Sequence, residues 1–195
     1  MKTTKFTLDT NCVIYGVTGT HYKAELDRLV ALAKAGDIEL WLTAGFQDDQ
    51  DRASAAYVAA NQAWLEKRPI LGLTTGPFRF DYSMLDGRDG FVSDATAAAD
   101  EAIKGIVFPS HAQMPDASND KQGTRWRQRM TDVQHLTSHF AHGHDVFVTS
   151  DRDILDRKAR LYAEAGITVA DLPKRYRSPR ARRNCTPGGS HAAIC

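Results

Sequence analysis

The chain has 195 residues, 42% hydrophobic and 25% charged, an ordinary globular composition at the length of one decorated domain. No stretch approaches the roughly 18 apolar residues of a membrane helix; the start, Met1-Lys2-Thr3-Thr4-Lys5, lacks an apolar signal region, and three scattered cysteines (Cys12, Cys185, Cys195) exclude a disulfide framework and fit a reducing cytoplasm. The net charge of +1 divides unevenly: residues 174–195 hold six basic residues and no acid, leaving 19 basic against 24 acidic residues elsewhere, a net of −5.

Lys5–Leu8 reads as a short strand, followed at once by Asp9-Thr10-Asn11. Leu26, Leu29, Val30 and Ala33 recur at helical spacing, predicting a helix over Tyr22–Ala35 with Gly36 at its C-terminus. Ile38–Leu42 is a compact apolar strand. An alanine-rich helix is expected over Phe46–Leu65, ended before Pro69, and Ile70–Leu73 reads as a further strand. From about Thr74 the turn chemistry of Gly76-Pro77, Asp86-Gly87, Asp89-Gly90, Pro109 and Pro115 dominates, with one helix near Ser93–Lys104. This stretch, about 74–123, reads as an insertion or lid with too few large apolar residues to form a second core.

Regularity returns with a helix over Thr124–Ala141, a strand at Val146–Thr149, a helix over Ile154–Ala165 closed by Gly166, and a strand at Ile167–Ala170. Strands alternating with helices predict an α/β fold with a mainly parallel central sheet. Residues 1–173 form the expected single domain. The tail 174–195 is rich in Arg, Pro, Gly and Ser, a composition for weak order. Basic tails contact nucleic acid or another anionic surface; the bland alternative is a solubilising tail.

In parallel α/β sheets the functional crevice lies beyond the carboxyl ends of the strands. Two strands end there in acids: the first at Asp9, with Asn11 two residues on, and the fourth in Thr149-Ser150-Asp151-Arg152-Asp153. A helix running antiparallel to the fourth strand returns Asp132 to the same edge. At 100° per residue, Val133, Leu136 and Phe140 cluster about 70° to one side of Asp132, so this acid sits on the rim of the buried face. Carboxylates converging without a matching Lys or Arg need a cation, and hard oxygen donors point to Mg²⁺ or Mn²⁺.

The segments Leu8-Asp9-Thr10-Asn11-Cys12-Val13-Ile14 and Asp132-(17 residues)-Thr149-Ser150-Asp151-Arg152-Asp153 resemble the PIN-domain ribonucleases, over about residues 5–65 and 124–172. The resemblance implies a PIN-like three-layer fold, a sheet of order 3-2-1-4-5 flanked by helices, and a metal-dependent endonuclease acting on RNA. It implies Asp9, Asp132 and Asp151 as catalytic metal-binding acids, with Asp153 as an accessory acid and Asn11 and Thr149 as supports. The family's second acid is usually a Glu; here the run Gln47-Asp48-Asp49-Gln50-Asp51 offers Asp49 at that place, with Asp48 and Asp51 beside it. The partners implied are an RNA substrate, an antitoxin protein if the chain is the toxin of a toxin–antitoxin pair, and a second copy in a homodimer. No membrane is among them, and the location expected is the cytoplasm.

Other residues carry weaker signals. Asp9 is also a good turn former and Asp151 or Asp153 a good helix cap, with Asp153 expected in the capping or outer role. His135, His139, His142 and His144 read as a solvated or RNA-facing flank, with His135 the candidate for phosphate contact. Lys174, Arg175 and Arg177 are the tail's RNA-binding candidates. Phe78, Arg79, Phe80, Tyr82 and Trp126 either stack on bases or seal the insertion onto the core, the latter being the preferred reading; Arg125, Arg127 and Arg129 alternate and cannot all face one way. Two competing readings are a non-catalytic RNA- or partner-binding module on the same fold, and a phosphoacceptor receiver domain. The latter is disfavoured because no Lys follows the last strand until Lys174.

Overall fold

A computed structural model describes residues 2–79, 83, 89–109 and 120–172. In chain order the elements are β1 (Thr4–Leu8), α1 (Thr10–Thr18), α2 (Lys23–Lys34), β2 (Ile38–Thr43), α3 (Ala44–Asp51), α4 (Ala55–Leu65) and β3 (Ile70–Thr74). Then follow β4 (Gly76–Pro77), β5 (Asp89–Gly90), α5 (Asp94–Val107), α6 (Asp120–Ala141), β6 (Val146–Thr149), α7 (Arg152–Leu155), α8 (Lys158–Ala165) and β7 (Val169–Asp171). Five strands form one parallel sheet of order β3-β2-β1-β6-β7, which is 3-2-1-4-5 when these strands are counted alone. The fold is α/β with helices on both faces, as expected from the alternation of elements.

Period-two alternation in the central strands builds the two cores. Phe6, Leu8 and Val148 point to one face, where they pack with Cys12, Val13, Leu26, Leu40, Leu42, Phe46 and Trp64. Phe147 points to the other, among Ile103, Ile106, Trp126, Met130, Val133, Leu136, Ile154, Leu161 and Ile167. Three of these residues correct the reading of the middle segment. Ile103 and Ile106 belong to α5 and are fully buried, and Trp126 is buried against them, so α5 is a layer of the core and not a lid. Asp100 ties it down through Thr137 Oγ1 of α6 (2.7 Å) and Arg79, and pairs within the helix with Lys104 (3.5 Å). Phe80 and Tyr82 lie outside the described residues, as do Lys174, Arg175 and Arg177. Among the described residues no helix is long and apolar enough to cross a membrane.

Three helix boundaries also differ from the periodicity. The expected helix over 46–65 is two helices, because Ser54 breaks the run and caps α4 by accepting from Tyr57 N–H; buried Asn61 then joins the pair by donating to Gln50 Oε1 at 3.0 Å. The helix over 154–165 likewise divides at Asp156 and Arg157 into α7 and α8. The segment after Asp9 is no loop: α1 starts at Thr10, with Asp9 as its N-cap and Gly19 closing it in the left-handed conformation.

The histidine flank of α6 is mostly interior. His139 is 1% exposed and shares the Thr7 hydroxyl with His144, at 2.8 and 2.7 Å from the two Nδ1 atoms. One hydroxyl proton serves one ring, so the other ring donates to Thr7. Burial, then the neighbouring His144, depresses His139 to about 3; burial, then His142 and Lys5, depress His144 to about 4. The expectation of a solvated flank fails here because Thr7 offers the imidazoles a buried hydroxyl partner.

Two measurements follow. Above pH ~6.5 both rings are neutral folded or unfolded, but below it the unfolded chain takes up protons that the folded one refuses. The contribution of these two rings to stability therefore falls as pH drops from about 6.5 towards 4, and the His139 Cε1–H resonance stays flat between pH 8 and 5; a ring titrating near 6.5 contradicts this arrangement. At Gly16 an added Cβ stands 2.2 Å from the Trp64 ring, whose other neighbour is the Arg68 guanidinium at 4.0 Å. Overpacking of about 1–3 kcal/mol outweighs the helix gain of up to ~1 kcal/mol from alanine, so Gly16→Ala lowers the urea midpoint. Gly105→Ala, in α5 with open space around it, raises it.

Candidate active site at the carboxyl edge of the sheet

The acids singled out in the sequence converge beyond the carboxyl ends of β1 and β6. Asp9 follows β1 and is buried at 6% exposure. Its Oδ1 accepts the Thr10 N–H (2.7 Å); its Oδ2 accepts Thr149 Oγ1–H (2.5 Å) and Asn11 Nδ2–H (2.8 Å). The Thr149 hydroxyl also accepts the Asp151 N–H at 2.9 Å. One threonine thus fixes the distance between the two strand-end acids. Asn11 Nδ2 lies 3.3 Å from the same hydroxyl, and its Oδ1 accepts Ser150 N–H at 3.4 Å.

Asp151 is the N-cap of α7, accepting from Asp153 N–H (2.7 Å) and Ile154 N–H (3.3 Å) through Oδ1. The cap is therefore Asp151 and not Asp153, because Asp151 has the extended backbone a cap requires. Asp153 is exposed, 3.7 Å from Arg157. Asp49 comes from α3. Its Oδ2 accepts Thr10 Oγ1–H at 2.5 Å and lies 3.5 Å from His135 Nε2; its Oδ1 accepts from Arg52 Nη2 at 2.5 Å.

Asp132 differs from the others. It projects from the middle of α6, half-buried, and among the described residues its carboxylate has no hydrogen-bond or ion-pair partner. Burial raises its pKa well above the usual carboxylate range; the charge of Asp9 adds to this, as do Asp151 and Asp49, against the opposing pull of His135. Asp9 is raised as well, by burial foremost, while His135 and Thr149 work against the rise. Asp49 moves the other way. Burial disfavours its charge, but His135, Thr10 and Arg52 outweigh that and lower its pKa.

His135 lies one turn beyond Asp132 and is 1% exposed. Its Nδ1 meets Thr43 Oγ1, its Nε2 lies 3.3 Å from Thr10 Oγ1 and 3.9 Å from Asp9 Oδ1, and Gly45 backs the ring. A Cβ at Gly45 would stand 2.9 Å from it. Burial favours the neutral imidazole, but the Asp49 hydrogen bond and the charges of Asp9, Asp49 and Asp132 prevail and raise its pKa. The reading of His135 as a phosphate contact is corrected: no ligand phosphate reaches a ring enclosed by Thr10, Thr43, Gly45 and Asp49. Sequence reasoning had the residue but not this role, since helical spacing shows that it shares a flank with Asp132 without showing what that flank faces.

A cleft of about 410 Å³ opens over these groups, lined by Asp49, Phe108, Arg125, Gln128, Arg129, Asp132, Asp151 and Asp153. Asp9 lies beneath it. Arg125 and Arg129, four apart on α6, share the cleft wall, and Arg127 is not among the lining residues. Arg129 also covers the Phe108 ring at 5.0 Å. Among the described residues no three His, Cys, Asp or Glu side chains are grouped closely enough to hold a metal ion as they stand. The donor set itself is hard oxygen, suited to Mg²⁺ or Mn²⁺.

No family model matches the sequence, and no curated protein matches it. Among solved structures, a chain in the crystal structure of VapBC2 from Rickettsia felis bound to a DNA fragment from their promoter is similar at 10% identity and a TM-score of 0.43, covering 86% of this chain and 98% of that one.

An unpartnered carboxylate facing three others destabilises the metal-free fold, most strongly once it is charged. A raised folded-state pKa means stability that is present at low pH and lost as pH rises above the unfolded value. Asp132→Asn removes that loss and raises the unfolding free energy of the metal-free protein at pH 7.5 by about 0.5–2 kcal/mol. A variant less stable than wild type in EDTA contradicts this account of the site.

Proposed function

We propose that the chain is a metal-dependent endoribonuclease that hydrolyses RNA phosphodiester bonds at this cleft. One observation carries the reading: Asp132, half-buried and without a partner among the described residues, shares a cleft open to solvent with Asp151 and feels the charge of nearby Asp9. A cation is the missing counter-charge. The motif resemblance to PIN-domain ribonucleases supports the same assignment from the sequence.

Asp9, Asp132 and Asp151 would hold the ion. When bound, a divalent ion supplies Lewis-acid activation of water and offsets charge on the scissile phosphate. The rest falls to the chain. Thr149 and Asn11 hold the Asp9 carboxylate in one orientation, and Thr149 ties the Asp151 backbone to it. Asp9 and Asp151 therefore need not reorganise during the reaction. Arg125 and Arg129 on the cleft wall hold the phosphates flanking the one being cleaved. Lys174, Arg175 and Arg177, in the basic segment that follows β7 in the sequence, supply further phosphate contacts. If the enzyme is the toxin of a pair, an antitoxin protein is its partner, and burial of this cleft is the simplest way to silence it.

The test is cleavage of an unstructured RNA oligonucleotide. Cleavage is expected with Mg²⁺ or Mn²⁺ and abolished by EDTA. Asp9→Asn and Asp132→Asn are each expected to lower the rate by about 10²-fold or more while remaining folded. Cleavage that persists in EDTA, or that Asp132→Asn leaves intact, overturns the assignment. RNA binding without cleavage in wild type and variants alike selects the non-catalytic module.

A further inference from the structure

The four site acids are not equivalent, and the difference sets how many ions the cleft takes. A carboxylate offers about four lone-pair directions. Asp49 has given up three: Oδ1 to Arg52, Oδ2 to Thr10 and to the approach of His135. Arg52 is itself anchored, donating to Thr131 Oγ1 on α6 at 2.9 Å. The Thr10 hydroxyl proton is committed to Asp49, so its oxygen can only accept from the imidazole. A carboxylate can only accept as well. Nε2 of His135 must therefore carry a hydrogen, and that N–H faces Thr10 and Asp49 together. Nδ1 is pinned to Thr43, and Gly45 leaves the ring its place. Asp49 is thus held from three elements, α1, α6 and its own helix α3. Asp132, by contrast, has no such partner, and Asp151 has only its Oδ1 engaged; Asp9 accepts three bonds as well, but all from neutral groups, the Thr10 N–H, Thr149 and Asn11, so its charge stays uncompensated where that of Asp49 is paired with Arg52.

We propose that Asp49 is an internally paired acid and not a metal ligand: Arg52 and His135 take the place of a second cation, and the cleft binds one divalent ion, on Asp9, Asp132 and Asp151. This rests on the proposed function in needing a cation at those three acids. It departs from the position-by-position resemblance, which puts Asp49 in the metal set. Asp is one methylene shorter than Glu, and here its reach ends at Thr10, His135 and Arg52. Asp49 is then a positioning residue. It holds Thr10, whose backbone N–H holds Asp9 Oδ1.

The experiment is Mn²⁺ titration of the full chain, read by the loss of the free-ion electron paramagnetic resonance signal, with thermal midpoints as a folding control. Wild type is expected to bind one Mn²⁺ per chain. Asp49→Asn keeps an acceptor for Thr10 and His135 while losing the charge a ligand would supply; it is expected to bind one ion with an affinity within about threefold of wild type. Asp132→Asn is expected to weaken binding by more than about 100-fold, beyond the range that loss of a supporting group alone produces. Two tightly bound ions in the wild type overturn the proposal whether or not the variant folds. A folded Asp49→Asn weakened as much as Asp132→Asn also overturns it. A wild type that binds no Mn²⁺ removes the cation site itself, a failure distinct from either of these because it shows before any variant is made.

Discussion

Four aspartates meet at one edge of the sheet, and the cost of gathering like charges out of water organises everything around them. Each acid is offset by a different device. Asp9 and Asp151 sit at helix N-termini, where backbone N–H groups of α1 and α7 point at them. Asp49 is offset by Arg52 and by the N–H of His135. Asp132 stands in mid-helix, far from any N-terminus, and has none of these. The vacancy in charge is therefore localised, and its place is what gives the cleft a chemistry. A site in which every acid were paired would be a stable polar network with nothing left to bind.

The parallel sheet makes this convergence possible. β1 and β6 are adjacent and in register, Leu8 against Val148, so the residues that follow them emerge side by side. Thr149 ends one strand and bonds the acid that follows the other. The position of α6 is set on its apolar side, where Val133 and Leu136 pack with Phe147 of β6. That packing fixes the rotation of the helix, and hence which way Asp132 and His135 face. A change in the second core would be felt at the acids through this helix before any acid was altered.

Much of this was legible in the sequence. Strand boundaries were readable because apolar runs and turn residues are local signals, whereas the sheet order came only through the motif resemblance. Asp9-x-Asn11 and Thr149-Ser150-Asp151, whose partners lie within a few residues of a strand end, were readable too. The helix α1 was not. Its sequence, TNCVIYGVT, has β-branched residues throughout, and what makes it helical is the cap at Asp9 and the burial of Cys12 and Val13 against the sheet. The division at Ser54 was missed for a related reason: an alanine-rich run keeps its helical pattern across a break that only the Ser54 hydroxyl marks.

His135 and His139 show most plainly what periodicity leaves undecided. They are four residues apart on one helix, both about 1% exposed, and equivalent in any helical projection. Burial disfavours the proton on each. At His135 the carboxylates of Asp49, Asp9 and Asp132 reverse that penalty; at His139, one turn further from the acids, His144 adds to it. The neighbours responsible come from α3, the end of β1, α6 itself and the turn after it, between 3 and 126 positions away along the chain. Residue type and spacing place both rings against the sheet. Which strand end each one meets decides that the first holds an acid in place and the second is a neutral part of the core.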